Sequence, residues 1–273
     1  MLRSLYSGIS GMRGFQTKLD VFGNNIANVN TVGFKSGRVM FQDILSQKMA
    51  GVTAPTDESG GVNAKQIGLG VTIAAIDTIH TPGSAMTTNV VTDLRIDGDG
   101  FFIVSPTGDE ENVFFTRAGN FTLDANGNLV TANGMFVMSV DGGPIQLNLE
   151  EINAFSISTD GVILAVNADG GTEDTGFQIA VTRVANPGGL EKVGNNLYRM
   201  TPNANPDGEF EFQAPNDTAL GTGAIISGQL EMSNVDLTSE FTEMIVAQRG
   251  FQANSRIITT SDEVLQEVVN LKR

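Results

Sequence analysis

Cysteine is absent from the sequence. That excludes a disulfide framework, a thiolate nucleophile and any cysteine metal site, and it suits a chain exported unfolded. Histidine occurs once, at His80 beside Pro82-Gly83. Ser-His-Asp catalysis or a histidine metal cluster would therefore rest on that residue alone, and its setting reads as that of a solvated or hydrogen-bonded loop histidine. No apolar run approaches the roughly 18 residues that cross a bilayer, which excludes membrane insertion by a helix. At the N-terminus, Gly8, Gly11 and Gly14 with Ser7, Ser10 and Arg13 interrupt any signal-peptide core, so no cleavable signal is expected. Positive charge is scarce too, and gathers in the first helix at Arg3, Arg13 and Lys18, with Lys35 after it, while the middle is acidic. The net charge is −15, which argues against a nucleic-acid partner, because phosphate neutralisation needs Lys and Arg.

Ligand motifs are similarly scarce. Asp97-Gly98-Asp99-Gly100 begins like a calcium loop, but Phe101 and Gly108 stand where the fifth and twelfth ligands belong. Asp124-Ala125-Asn126-Gly127 fails in the same way at Leu129. Ile67-Gly68-Leu69-Gly70 lacks the third glycine and the helix of a dinucleotide loop. No carboxylate pair stands out. Catalytic, cofactor-binding and metal-ligating residues are thus expected to be absent, and the chain does not read as an enzyme.

What is present lies first at the two ends. From Asn234 to Arg273, Leu237, Phe241, Met244, Phe251, Ile258 and Leu265 recur at steps of three, four or seven, which predicts one apolar side of a long helix. Ser233, Asn234 or Asp236 can cap its start; Asp236 and Glu240 there, and Lys272 and Arg273 at the end, suit the helix dipole. The weak run Thr259-Thr260-Ser261 leaves its continuity open. At the other end, Leu2, Leu5, Ile9, Met12, Leu19 and Ile26 mark a second helix, widened by Phe15 and Phe22. Gly8, Gly11 and Gly14 weaken that helix in isolation and suit close approach of another. Either helix could be an ordinary core-facing one; alternatively the two form a pair. Asparagines at 24, 25, 28 and 30 with Gly33 end the first helix, and Gly33 is expected at positive φ.

Between the ends the organisation changes. Residues 36–92 read as a connecting segment, with extended pieces around Val39–Leu45 and Gln66–Ile79 and an exposed loop over Ala50–Asn63. Residues 93–227 alternate apolar and polar positions between Asp97-Gly98, Asn126-Gly127, Asn133-Gly134, Asp141-Gly142 and Asp160-Gly161, each a hairpin signal. This predicts an antiparallel β domain, a barrel or sandwich, followed by loop with one strand at Glu209–Gln213. The fold class is therefore mainly β with terminal α-helices, divided as 1–35 plus 228–273, 36–92 and 93–227.

The stretches SGISGMRGFQTKLDVFGNNIANVNTVGFKSGR and EMSNVDLTSEFTEMIVAQRGFQANSRIITTSDEVLQEVVNLKR resemble the N- and C-terminal signatures of the bacterial flagellar rod and hook proteins. IDGDGFFIV, FTRAGNFTLDANGNLVTANG and GLEKVGNNLY agree with that family's β domain. The signature positions are Asn25, Asn28, Thr31, Gly33, Phe34, Asn234, Val235, Gln248 and Arg249. The resemblance implies an extracellular axial building block, exported by the flagellar type III apparatus. Its terminal helices would pair as a coiled coil and line a helical homopolymer. By this reading Leu5, Ile9, Met12, Leu19, Ile26, Leu237, Phe241, Met244, Phe251, Ile258 and Leu265 serve polymerisation. The details match a short hook subunit first and a distal rod subunit second. Its partners would be further copies, the distal rod protein, the hook cap, the hook–filament junction proteins and the export apparatus. A secreted β-rich binding module is the non-flagellar alternative.

Overall fold

A computed structural model describes residues 2–55, 60–110, 112–148, 152–167, 171–205 and 210–271. Mainly β with two helices, the chain divides into two units: residues 1–27, 37–78 and 236–273, and residues 28–36 with 79–235.

The first unit holds both helices. Helix α1 spans Leu2–Ala27 and α2 spans Leu237–Asn270. At 34 residues, α2 extends about 51 Å. It starts where Asp236 Oδ1 accepts the Thr238 amide at 2.9 Å, satisfying one of the donors that a helix start leaves unpaired. It runs unbroken through Thr259-Thr260-Ser261, whose hydroxyls bond back to the carbonyls of Arg256 and Ile257. Lys272 and Arg273 lie outside the described residues. The two helices run antiparallel: Gly8 lies against Ile258, Gly11 against Asn254, Phe15 against Gly250, and Lys18 Nζ reaches Glu243 at 2.9 Å. Between them in sequence come β1 (Gly37–Asp43), β2 (Ser46–Ala50), β3 (Lys65–Gly68) and β4 (Val71–Thr78). Strand β1 pairs with β4 and β2 with β3, both antiparallel. Beyond β2 and β3 the hairpin narrows to a single Thr53–Val62 bridge, and residues 56–59 of the expected loop lie outside the described set.

The second unit is antiparallel throughout. Its strands are β5 (Ala85–Thr87), β6 (Leu94–Asp97), β7 (Phe101–Ser105), β8 (Phe114–Thr116), β9 (Phe121–Leu123), β10 (Leu129–Thr131) and β11 (Phe136–Val137). Then follow β12 (Ile152–Ile157), β13 (Val162–Asn167), β14 (Thr172–Gln178), β15 (Val181–Thr182), β16 (Glu191–Gly194), β17 (Leu197–Arg199), β18 (Ala224–Ser227) and β19 (Gln229–Glu231). The main sheet runs β16-β17-β8-β7-β11-β10-β9, with β15 also on β7. Strands β12-β13-β14 form a second sheet, and β18 pairs with β6 and β19 with β5. One apolar cluster joins these sheets, with Leu94, Ile96, Phe102, Val104, Phe121 and Ile225 sealed from solvent. Each such side chain contributes about 1.5–3 kcal/mol through burial.

Asn126-Gly127, Asn133-Gly134 and Asp160-Gly161 turn hairpins between β9/β10, β10/β11 and β12/β13, with the glycines at φ 80°, 78° and 76°. Asp141-Gly142 turns between the bridged residues Met138 and Pro144. Asp97-Gly98 departs from expectation, because β6 and β7 belong to different sheets. Glycine is needed there for crowding: a Cβ on Gly98 would meet the Gly223 backbone at 3.0 Å, and one on Gly100 would meet Val181 at 2.5 Å. The strand expected at Glu209–Gln213 reduces to one bridge, Gln213 to Val181, among its described residues; Glu209 itself lies outside them.

Candidate assembly surface and buried ion cluster

Small residues bring the helices of the first unit together. Gly8, Gly11 and Ala247 are buried, and a Cβ on Gly11 would stand 3.0 Å from the Asn254 amide. Gly14 plays the same part against Phe41 of β1, at 2.6 Å. Of the apolar positions expected to serve polymerisation, Leu5, Met12, Leu19, Ile26, Met244, Phe251, Ile258 and Leu265 are half-buried. Ile9, Leu237 and Phe241 remain 37%, 39% and 49% exposed. Other exposed apolar side chains on this unit include Tyr6, Ile44, Leu45, Met49, Ile245 and Val268. Asn25 is almost fully buried and mimics a strand partner: its amide donates to the Gly37 carbonyl and its Oδ1 accepts the Gly37 N–H, both at 2.9 Å. It also reaches Glu240 at 3.2 Å. Glu240 is held above its ordinary range, chiefly by burial; the Asn25 bond opposes this, and the Glu243 and Asp236 charges add to it.

The second unit gathers most of the remaining signature residues. Thr31 donates from its hydroxyl to Asn28 Oδ1. Gly33 has φ 69°, and a Cβ there would come within 2.5 Å of the Ala118 nitrogen, so only glycine fits. Phe34 is buried with the Lys192 ammonium 5.2 Å from its ring. Next to it, Lys35 is fully buried and donates to the Thr81 carbonyl at 2.7 Å and to Glu231 Oε1 at 2.5 Å. Glu231 also accepts the Gly83 N–H, and its Oε2 takes Arg117 Nη1 at 3.3 Å. Burial pulls both Lys35 and Arg117 below their usual ranges, and the Glu231 carboxylate opposes that in each case. Asn234 then ties three segments: Oδ1 accepts the Ser36 N–H at 2.8 Å, while Nδ2 donates to the Ile79 carbonyl at 2.8 Å and Thr81 Oγ1 at 3.0 Å. Val235 follows, half-buried. Gln248 and Arg249 stand apart from this cluster, exposed on α2.

Of the two readings for His80, the hydrogen-bonded loop residue holds, through a bond to the Pro187 backbone, and the solvated one does not. Its ring packs against Phe101 and Tyr198 at 5.7 and 5.5 Å, and Nδ1 is buried without a partner among the described residues. Burial first, then the charges of Lys35, Lys192 and Arg117, push its pKa down to about 4. The ring is neutral in the fold and serves as packing. Lys35, Arg117 and Glu231 were not singled out from sequence, since charged residues distant in the chain carry no periodic signal. A positively charged residue inside an apolar, glycine-punctuated run, as in Gly33-Phe34-Lys35 and Phe115-Thr116-Arg117, is the cue that marks them. Among the described residues no group of acids and His could hold a metal ion.

A closed β unit and a helical unit with exposed apolar faces define a structural protein, with its polar residues used for bracing rather than chemistry. Comparison with known proteins agrees. Residues 5–35 match the flagella basal body rod protein model, 95–165 the flagellar hook protein FlgE/F/G D1 domain, and 226–271 the flagellar basal body rod FlgEFG protein C-terminal model. The chain is 57% identical to the flagellar basal-body rod protein FlgG of Bacillus subtilis (strain 168), over the whole of both chains. It is 38% identical to FlgG of Borreliella burgdorferi, again over the whole of both. The flagellar hook protein FlgE of that organism is 30% identical, over an alignment of 451 positions against the 273 residues present here. The chain belongs to the FlgE/F/G family of flagellar basal-body rod and hook proteins, structural subunits and not enzymes. Within it, these similarities favour rod over the hook assignment drawn from the terminal motifs, which the two kinds of protein share.

Proposed function

We propose that this chain is the distal rod subunit of the bacterial flagellum, a rigid shaft built from many copies. The observation that carries this reading is the end-to-end match to rod proteins at equal length, where hook relatives need many more positions. In the polymer, α1 and α2 act as a coiled coil lining the tube, so residues 1–35 and 228–273 form the assembly part. Residues 36–92 connect it to a barrel-like β part, 93–227. The Leu5, Ile9, Met12, Leu19 and Ile26 positions and their counterparts on α2 supply apolar contact, while Asn25, Asn28, Thr31, Gly33, Phe34, Asn234 and Val235 brace the chain where the terminal segments enter and leave. Gln248 and Arg249 remain available on α2 for neighbouring copies. Export through the flagellar type III apparatus fits the absence of cysteine. Further copies and the adjoining axial proteins, including the hook, are its partners, outside the cell membrane. Electron microscopy of the concentrated, purified protein tests this: short straight tubes are expected. Bent, supercoiling tubes would restore the hook reading, and a persistent monomer would remove both.

A further inference from the structure

Among the described residues, the helical register leaves the end of α2 without a partner in its own chain. Extending the pairs Gly8/Ile258, Gly11/Asn254 and Phe15/Gly250, Leu2 falls opposite roughly residue 263. The turns beyond it carry Val264, Val268 and Leu271, spaced by four and three on one side of the helix and 46%, 51% and 86% exposed. Glu267 flanks that stripe. It makes no ion pair among the described residues.

The same unit has a matching vacancy in shape and charge. A cleft of about 430 Å³ opens between α1 and the strands, lined mainly by Tyr6, Ile9, Ile44, Val71 and Ile73, with Arg13 and a few hydroxyl side chains also on its wall. Among the described residues Arg13 is the one charged residue lining it, and it too lacks an ion pair there. An apolar slot with one cation calls for an apolar stripe with one flanking carboxylate. Within a single chain the overhang points past the start of α1, away from residues 6–17, so it cannot fold into its own cleft.

We propose that the last two turns of α2 from a second copy seat in this cleft, Val264, Val268 and Leu271 inward and Glu267 against Arg13. The contact is head-to-tail, with different surfaces on the two copies, and so propagates into an open helical polymer. It rests on the rod reading above and specifies one of its joints. Charge reversal tests it on the full chain. Arg13→Glu or Glu267→Arg alone should raise the concentration needed for tube formation on the order of tenfold, and combining them should restore it to nearly that of the unaltered chain. Because the chain has no cysteine, the double variant Ile9→Cys, Val268→Cys gives an independent readout. The two sites lie about 18 Å apart along one helix pair, too far for a disulfide within one chain. Oxidised tubes should therefore show a ladder of covalent oligomers. Tubes that form normally with either charge reversed, or that assemble with no ladder, would overturn the joint while leaving the rod reading intact. Failure of the unaltered chain to form tubes would instead count against the rod reading itself.

Discussion

The two units of this chain solve the burial problem in opposite ways. The second encloses its own core: Phe102, Val104, Phe121, Val181 and Ile225 are sealed, and its buried cations Lys35 and Arg117 share the Glu231 carboxylate within the unit. In the first, Phe22, Val39 and Ala247 are the only apolar residues that reach full burial among those described, while Met40, Ile44, Leu45, Met49, Phe241, Ile245 and Val269 face solvent. A few buried side chains at about 1.5–3 kcal/mol each do not offset a backbone entropy of roughly 1–2 kcal/mol per ordered residue over two long helices. One unit is thus a finished domain and the other is half of an interface. That difference is what a building block needs, since a subunit that closed every surface would have nothing left with which to polymerise.

Breaking the buried ion cluster should separate the units most sharply. Glu231→Ala leaves the Lys35 and Arg117 charges buried without a carboxylate, a change expected to destabilise the second unit by about 3–5 kcal/mol. Denaturant unfolding of the full chain reads this directly, and a loss below about 1 kcal/mol would mean that the cluster is not the brace proposed. Gly11→Leu acts on the other unit. The added side chain collides with Asn254, an overpacking that costs about 1–3 kcal/mol. Tubes should be lost while the unfolding midpoint of the β unit stays unchanged; a shift in that midpoint would contradict the division.

A smaller effect should appear with pH. His80 has a folded-state pKa of about 4 against an ordinary value of 6.5, so the unfolded chain binds its proton more readily. Stability from the neutral ring is fully present above pH 6.5 and falls as pH drops from there through 4. The groups facing it are Lys35, Lys192 and Arg117, all cations, with the Pro187 backbone favouring the charged form. His80→Phe should flatten the stability–pH profile across that window, and an unchanged slope would place the acid sensitivity elsewhere.

How much of this was legible in the sequence depended on the kind of signal involved. Helix positions followed from periodicity, and the ends of α1 and α2 from Asn24–Asn30 and Asp236. Most Asn-Gly and Asp-Gly turns followed from the need for positive φ. Asp97-Gly98 carries the same local signal yet crosses between sheets, because close approach of Gly223 and Val181 sets its glycines rather than a hairpin. The Asn195-Asn196 turn joining β16 and β17, at φ 53° and 59°, uses two asparagines where glycine is the commoner cue. Least visible were Lys35–Glu231 and Asn234–Ile79, whose partners are 196 and 155 residues apart. Pairings at such distances emerge only once the fold exists. Rod and hook were hard to part for a related reason: both use the same terminal motifs, and overall length with end-to-end similarity separates them.

Amide hydrogen exchange on the free subunit and on the assembled tube tests the central contrast most directly. In the free subunit, amides of β6–β8 and β17–β19 should exchange slowly while those of α1 and α2 exchange fast; in the tube both helices should become protected. Slow exchange throughout α1 and α2 in a proven monomer would contradict the account, because the first unit would then be complete without its neighbours.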